Sequence, residues 1–276
     1  GGLWVAHFAY WGFNQYITQR ALAAKSLQEA QKGVMFAAFL KLLMPLVVVL
    51  PGICAVMLLP PLQDNEFDSA YPKMMELLPS GLLGLTFAAL VAAIVSSLAS
   101  MTNSVSTIFT MDIYKQFVVQ DVTDRKLVIV GRSVALISVV VAVLCAQPLL
   151  GSLESAFQYI QNFTGFFTPG ILVIFLVALF WKKATSLSVL VAAISSLILS
   201  LGMFLLAPDD FPFQHRMGIV FFVTGLLCYL TALIQGYEDH EKAIVLSDIN
   251  FKTSVGFNIS TIIVFTVLTI IYSIWW

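Results

Sequence analysis

Charge is scarce in this sequence. Asp, Glu, Lys and Arg make up 11% of its 276 residues, against about a quarter in a soluble domain. The formal net charge is −1 and no long run of one sign occurs, so no nucleic-acid partner is expected. Cysteine is equally sparse. Cys54, Cys145 and Cys228 all lie inside apolar runs, with neither the spacing of a metal site nor the pairing of a secreted disulfide framework. They read as buried small hydrophobes. Histidine offers little for metal or acid–base chemistry, since His7 alone falls within an apolar run. No ten-residue alternation of a membrane barrel strand is visible. With no initiator Met and no basic segment with a cleavage site, the first residues are not expected to be a signal peptide. The chain is expected to be the C-terminal part of a longer protein.

What fills the sequence instead is apolar surface, 59% of residues. A water-soluble globule of this size has no way to cover that much of it with polar groups. The bilayer is the solvent that tolerates it, and the expected class is an all-α polytopic membrane protein. About 20 mostly apolar residues cross a bilayer as a helix. Such runs predict eight spans, over residues 1–20, 33–58, 81–110, 127–147, 153–181, 185–207, 217–236 and 253–276. The polar stretches 59–80 and 111–126 read as loops, and the charged run from Glu238 to Lys242 as a solvated connector.

Basic residues then predict orientation. Arg20, Lys25 and Lys32, then Lys115, Arg125, Lys126 and Arg132, then Lys182 and Lys183, then Lys242 and Lys252 fall on one side, eleven of the fourteen. Only Lys73 and Arg216 fall opposite, and Lys41 lies within a span. The positive-inside rule puts the eleven in the cytoplasm and the C-terminus outside, with Trp275 and Trp276 at the outer interface.

Polar groups inside spans carry most of the functional information, because each costs free energy unless partnered or set in a cavity. In the first span His7, Tyr10, Trp11, Asn14 and Gln15 share one broad helical face. Gly12 beside Asn14 weakens the helix there. A broken helix with polar groups at the break is the pattern of a transporter midplane site, although aromatic packing near the interface would also explain it. Lys41 lies eight residues into its span, about 12 Å deep at 1.5 Å per residue, too far for its stem to reach water comfortably.

Ala93, Ser96, Ser97 and Ser100 follow i, i+3, i+4, i+7 and form one stripe. Small residues on a stripe suit close helix packing. Hydroxyls and carbonyls also suit a sodium ion, which prefers oxygen ligands. The amides of Gln158, Gln161 and Asn162 lie close together on a helix surface and suit a hydroxylated ligand. Thr164, Gly165 and Thr168-Pro169-Gly170 follow them, where a kink is expected.

These clusters resemble, in order, the sodium:solute symporter family, and most closely its bacterial sodium–galactose members. The strings that carry the resemblance are WGFNQYITQRALAAKS, AALVAAIVSSLASMTNS with IFTMDIYK, and AFQYIQNFTG with LFWKK after it. The resemblance implies a LeuT-type fold, in which residues 1–181 form the second inverted five-helix repeat and 182–276 three peripheral transmembrane helices. It implies a place in the cell's inner (plasma) membrane and a missing N-terminal half that completes the sites.

It further implies that Tyr10 is the aromatic gate under a sugar, with Trp11 beside it. By the same resemblance Lys41 and Gln161 bond sugar hydroxyls, and Phe157 belongs to the outer gate. Ala93, Ser96 and Ser97 correspond to the family's ligands of a co-transported Na⁺. Two positions depart from the galactose carriers. His7 replaces an Asn that contacts sugar, and Ala99 stands where members with a second sodium site place a hydroxyl, so one Na⁺ per sugar is expected. The rival readings are symport of myo-inositol, sialic acid or another polar solute, a polytopic membrane enzyme, and a sensory domain derived from a transporter.

Overall fold

The computed structural model describes residues 2–60, 69–150, 156–208, 211–241, 243–249 and 251–275, and among them every regular element is helical. In chain order the α-helices are α1 (Leu3–Phe13), α2 (Gln15–Leu22), α3 (Leu27–Leu58), α4 (Ala70–Glu76), α5 (Ser80–Ile108), α6 (Asp124–Leu150), α7 (Ala156–Phe180), α8 (Ser186–Leu206), α9 (Phe213–Ile234) and α10 (Val255–Trp275). Among the described residues seven stretches are long and apolar enough to cross a membrane: Leu27–Leu58, Ser80–Val118, Asp124–Ala146, Tyr159–Phe180, Ser186–Leu206, Phe213–Ile234 and Val255–Ile274.

The expected first span is not a single helix. α1 and α2, of 11 and 8 residues, meet at Asn14, whose ψ of 117° ends one helix and starts the next. The Asn14 side chain accepts from the Tyr16 N–H at 3.4 Å, and its carbonyl accepts from Ile17 and Thr18 at 3.1 and 3.0 Å. Asn is among the best residues for this role, because its side-chain oxygen satisfies an otherwise orphaned first-turn N–H.

Two expected connections are also helical. Residues 111–126 do not form a plain loop: α5 runs on as a π-helix over Phe109–Val118 before α6 begins at Asp124. The stretch 59–80 holds α4, while Asp64, Glu66 and Asp68 lie outside the described residues. The charged segment after α9 is tied down on one side. The His240 N–H donates to the Lys182 carbonyl at 2.9 Å. Lys183 Nζ donates to the Tyr237 carbonyl at 3.0 Å and stands 4.0 Å from the centre of the Tyr237 ring. Tyr237 adopts φ 55°, the only positive φ outside glycine among the described residues. Lys242 and Trp276 lie outside the described residues. Of the cysteines only Cys228 is buried; Cys54 is half-buried and Cys145 exposed.

The helices group into two compact units, Gly1–Lys32 with Phe157–Ser260, and Gly33–Ala156 with Thr261–Trp276. In the first, small residues set the helix spacing. α8 buries Ser188, Ala192, Ser196 and Ser200, one stripe at steps of four. Ala192 packs with Val173 of α7 and Cys228 of α9. At Gly170 the contact is so close that an added Cβ would lie 2.6 Å from the Ser196 Cβ and 2.5 Å from its Oγ. Gly170→Ala is therefore expected to destabilise the chain by about 1–3 kcal/mol, the range of an overpacked core. Ser196→Gly should restore part of that loss by removing both clashing atoms. Melting temperatures of the two single variants and the double variant in detergent check this.

α1 is seated on α7 and α9. Val5 and Ala9 pack with Leu172, and Phe13 stacks on Phe175 at 4.8 Å between ring centres. Trp4 meets Phe221 edge-on at 5.0 Å, and Gly218 passes so near Gly2 that a Cβ on it would lie 3.2 Å from the Gly2 Cα. In the second unit, α5 and its π-helical continuation pack on α6, where Ser106 Oγ donates to the Gly131 carbonyl at 2.7 Å. α10 meets α3 through Thr261 and Met35.

Candidate functional site

The packing of α1 decides what its polar side chains do. Val5 and Ala9 face the core, so at 100° per residue His7, Tyr10, Trp11 and Asn14 point to the other side. All but the half-buried Asn14 are exposed, Tyr10 at 39% and Trp11 at 44%. The expected polar face of the first span is thus one surface, with the helix break at its end. Gly12 stays helical and the break falls two residues later, at the capping Asn14.

The break brings together a pair that the sequence does not suggest. In a continuous helix Tyr10 and Tyr16 stand about 9 Å apart along the axis and on different faces. Here their hydroxyls are in hydrogen-bond contact, and their rings meet edge to face at 5.8 Å. Trp11 also meets Tyr10 edge to face, at 5.4 Å. The result is an aromatic trio with polar tips around an interrupted backbone. Such groups offer apolar ring faces and directed hydrogen bonds at once, a combination suited to a polyhydroxylated ring.

Gln161 stands half-buried on α7, the helix against which α1 packs. Thr164 Oγ1 donates to the carbonyls of Ile160 and Gln161 at 2.9 and 3.1 Å, and Thr168 Oγ1 to that of Thr164 at 2.8 Å. Pro169 lies inside the helix, which nevertheless continues as one element from Ala156 to Phe180. Asn162 lines a small cavity with Gly165, Phe166, Ser200 and Arg216. Phe157 and Gln158 lie in the first turn of α7, with side chains outside the described residues.

The second unit holds Lys41 and the hydroxyl stripe. Lys41 is exposed on α3. That helix begins at Leu27, earlier than expected, so Lys41 stands fourteen residues from its start, about 21 Å along the axis. Ala93, Ser96 and Ser97 share a surface of α5 and are exposed. Ser100 Oγ donates to the Ser96 carbonyl at 3.0 Å, and Thr107 Oγ1 to that of Asn103 at 2.8 Å. The hydroxyls of Ser96 and Ser97 have no hydrogen-bond partner among the described residues. They remain available as oxygen ligands for a hard cation, but one face of one helix supplies only part of a coordination shell.

A sodium:solute symporter family model matches residues 2–196. The sodium/glucose cotransporter of Vibrio parahaemolyticus is 46% identical over 292 aligned positions, covering all of this chain and 53% of that protein. The human sodium/myo-inositol cotransporter 2 is 37% identical over 217 positions, 72% of this chain and 32% of its own length. The uncharacterized symporter YidK of Escherichia coli K12 is 32% identical over 235 positions, 85% of this chain and 41% of its own length. The chain thus spans about half the length of the curated relatives it matches, or less. These relatives are cotransporters, which removes the reading as a membrane enzyme. With a family match over more than half of its residues and, among the described residues, seven helices long and apolar enough to cross a bilayer, the chain is a multi-pass membrane protein belonging to the sodium:solute symporter family.

Proposed function

We propose that this chain, joined to the N-terminal segment its relatives carry, forms a sodium-coupled sugar symporter that works by alternating access. The observation that carries the reading is the exposed face of His7, Tyr10 and Trp11 ending in the helix break at Asn14. A break leaves backbone groups and dipole ends free for a ligand at mid-membrane depth, where unbroken helices offer none. The name of the Vibrio relative supports a hexose.

In this reading the fold is of the LeuT type, with residues 1–181 as the second inverted repeat and 182–276 as three outer helices. The basic loops lie in the cytoplasm and the C-terminus outside. Na⁺ binds first, on the Ala93 carbonyl and the hydroxyls of Ser96 and Ser97, with the rest of its shell from the N-terminal half. Sugar then bonds to Lys41, Gln161 and His7 and rests on Tyr10 and Trp11. Closure at Phe157 precedes release past Tyr10. Ala99, which has no hydroxyl to offer a second ion, sets one Na⁺ per sugar.

Uptake of labelled galactose and glucose into vesicles holding the full-length transporter tests this. Uptake is expected to need a Na⁺ gradient, and equal uptake without Na⁺ overturns the coupling. The myo-inositol relatives point to a second solute class. Competition by unlabelled myo-inositol stronger than by either hexose would replace the hexose reading with a cyclitol one.

A further inference from the structure

We propose that Tyr16 is a positioning residue for Tyr10, holding its ring by the hydroxyl contact made across the break at Asn14. The inference rests on the proposed reading of Tyr10 as the aromatic under the substrate. Three observations carry it. The contact joins residues six apart, which no unbroken helix brings together. Its geometry is set by the cap: the Asn14 side chain accepts from the Tyr16 backbone N–H itself, so the residue bonded to Tyr10 is also the first one fixed after the break. Finally, Tyr10 has few other neighbours to fix its ring. It is 39% exposed, and its ring neighbours among the described residues are Trp11 and Tyr16 alone.

The consequence is mechanical. For the Tyr10 ring to swing aside, either the hydroxyl pair breaks or α2 tilts with it about Asn14. The pair therefore couples the ring's position to the angle between α1 and α2. Removing the Tyr16 hydroxyl uncouples them, while the ring of a phenylalanine keeps the edge-to-face packing.

The test compares Tyr16→Phe, Tyr10→Phe and the double variant in the full-length transporter reconstituted into vesicles. Sugar KM and maximal rate are read separately, alongside efflux of preloaded sugar without Na⁺. Tyr16→Phe is expected to raise KM about two- to tenfold, the value of one hydrogen bond, and to raise Na⁺-independent efflux, with the maximal rate little changed. Tyr10→Phe should match it, and the double variant should equal either single one, because all three lack the same bond. Wild-type KM and efflux in Tyr16→Phe overturn the proposal, as do single effects that multiply in the double variant. A merely structural role for Tyr16 lowers the maximal rate and the yield of folded protein together, leaves KM unchanged and also overturns it. A fourth variant, Tyr10→Ala, separates this from the underlying reading. If it transports with unchanged KM, Tyr10 does not meet the sugar and both ideas fall. If it loses transport while Tyr16→Phe is normal, only the positioning role falls.

Discussion

Replacing both Ser96 and Ser97 by alanine in the full-length transporter is expected to raise the Na⁺ concentration for half-maximal sugar uptake about ten- to a hundredfold. Each hydroxyl removed from a cation is a charge-assisted contact worth about 1.5–3 kcal/mol, and either one alone reaches that range at 25 °C. The double variant exceeds it only if the two contacts add without compensation by water. The stripe on α5 makes the experiment specific. Ser96 and Ser97 hydroxyls have no other partner among the described residues, whereas Ser100 Oγ is already bonded to the Ser96 carbonyl at 3.0 Å. Ser100→Ala should therefore shift the sodium dependence less. The maximal rate at saturating Na⁺ should stay near that of the wild type, because a small exposed hydroxyl lost from a helix face leaves the backbone intact. Sugar uptake in rising Na⁺ reads both quantities. An unchanged half-saturation in the double variant removes this stripe from the sodium site.

The membrane helices were legible because hydropathy over twenty residues is a strong signal, and seven of the eight expected spans stand close to their expected bounds. The polar face of the first span was legible for a related reason: His7, Tyr10, Trp11 and Asn14 recur with helical period, and packing of Val5 and Ala9 on Leu172 turns that period into an exposed surface. What the period hides is the effect of the break itself. Nothing in the sequence pairs Tyr16 with Tyr10, because helical spacing places i and i+6 on different faces and only the turn at Asn14 joins them.

The π-helix is hidden in the sequence for another reason. Asp112, Lys115 and Gln116 interrupt the apolar run, so the sequence reads as a loop from residue 111 on. Its polar character is compatible with a helix that packs one side on α6 and leaves the other open. The serine stripe of α8 was present in the sequence at regular steps of four, Ser188, Ser196 and Ser200 with Ala192. Small residues in an apolar span carry no hydropathy contrast, and their meaning appears only when Gly170 is placed against Ser196.

Lys41→Met is expected to raise the sugar KM about ten- to a hundredfold while improving insertion of the chain. The two effects have one origin. An ammonium near the middle of a membrane helix costs about 2.5–3.5 kcal/mol relative to an apolar residue, and Lys41 stands fourteen residues from the start of a 32-residue helix. A charge at that depth is a standing loss for folding, retained where the group does something that a neutral side chain does not. Donation of charge-assisted hydrogen bonds to sugar hydroxyls is such a role, worth about 1.5–3 kcal/mol. Methionine keeps the length and flexibility of the lysine stem but brings no donor, so the substitution isolates the ammonium from the space it fills. A residue kept for packing would show the opposite pattern, with the yield of inserted protein unchanged or lower and KM unmoved. Lys41→Arg sharpens the comparison, since guanidinium restores the charge but not the compact geometry of the ammonium. It should retain the insertion penalty without recovering the wild-type KM. Yield of folded transporter and sugar KM, measured on the same preparations, decide between the two patterns. A normal KM in Lys41→Met assigns the lysine to structure and moves the polar contacts of the sugar to Gln161, His7 and the N-terminal half.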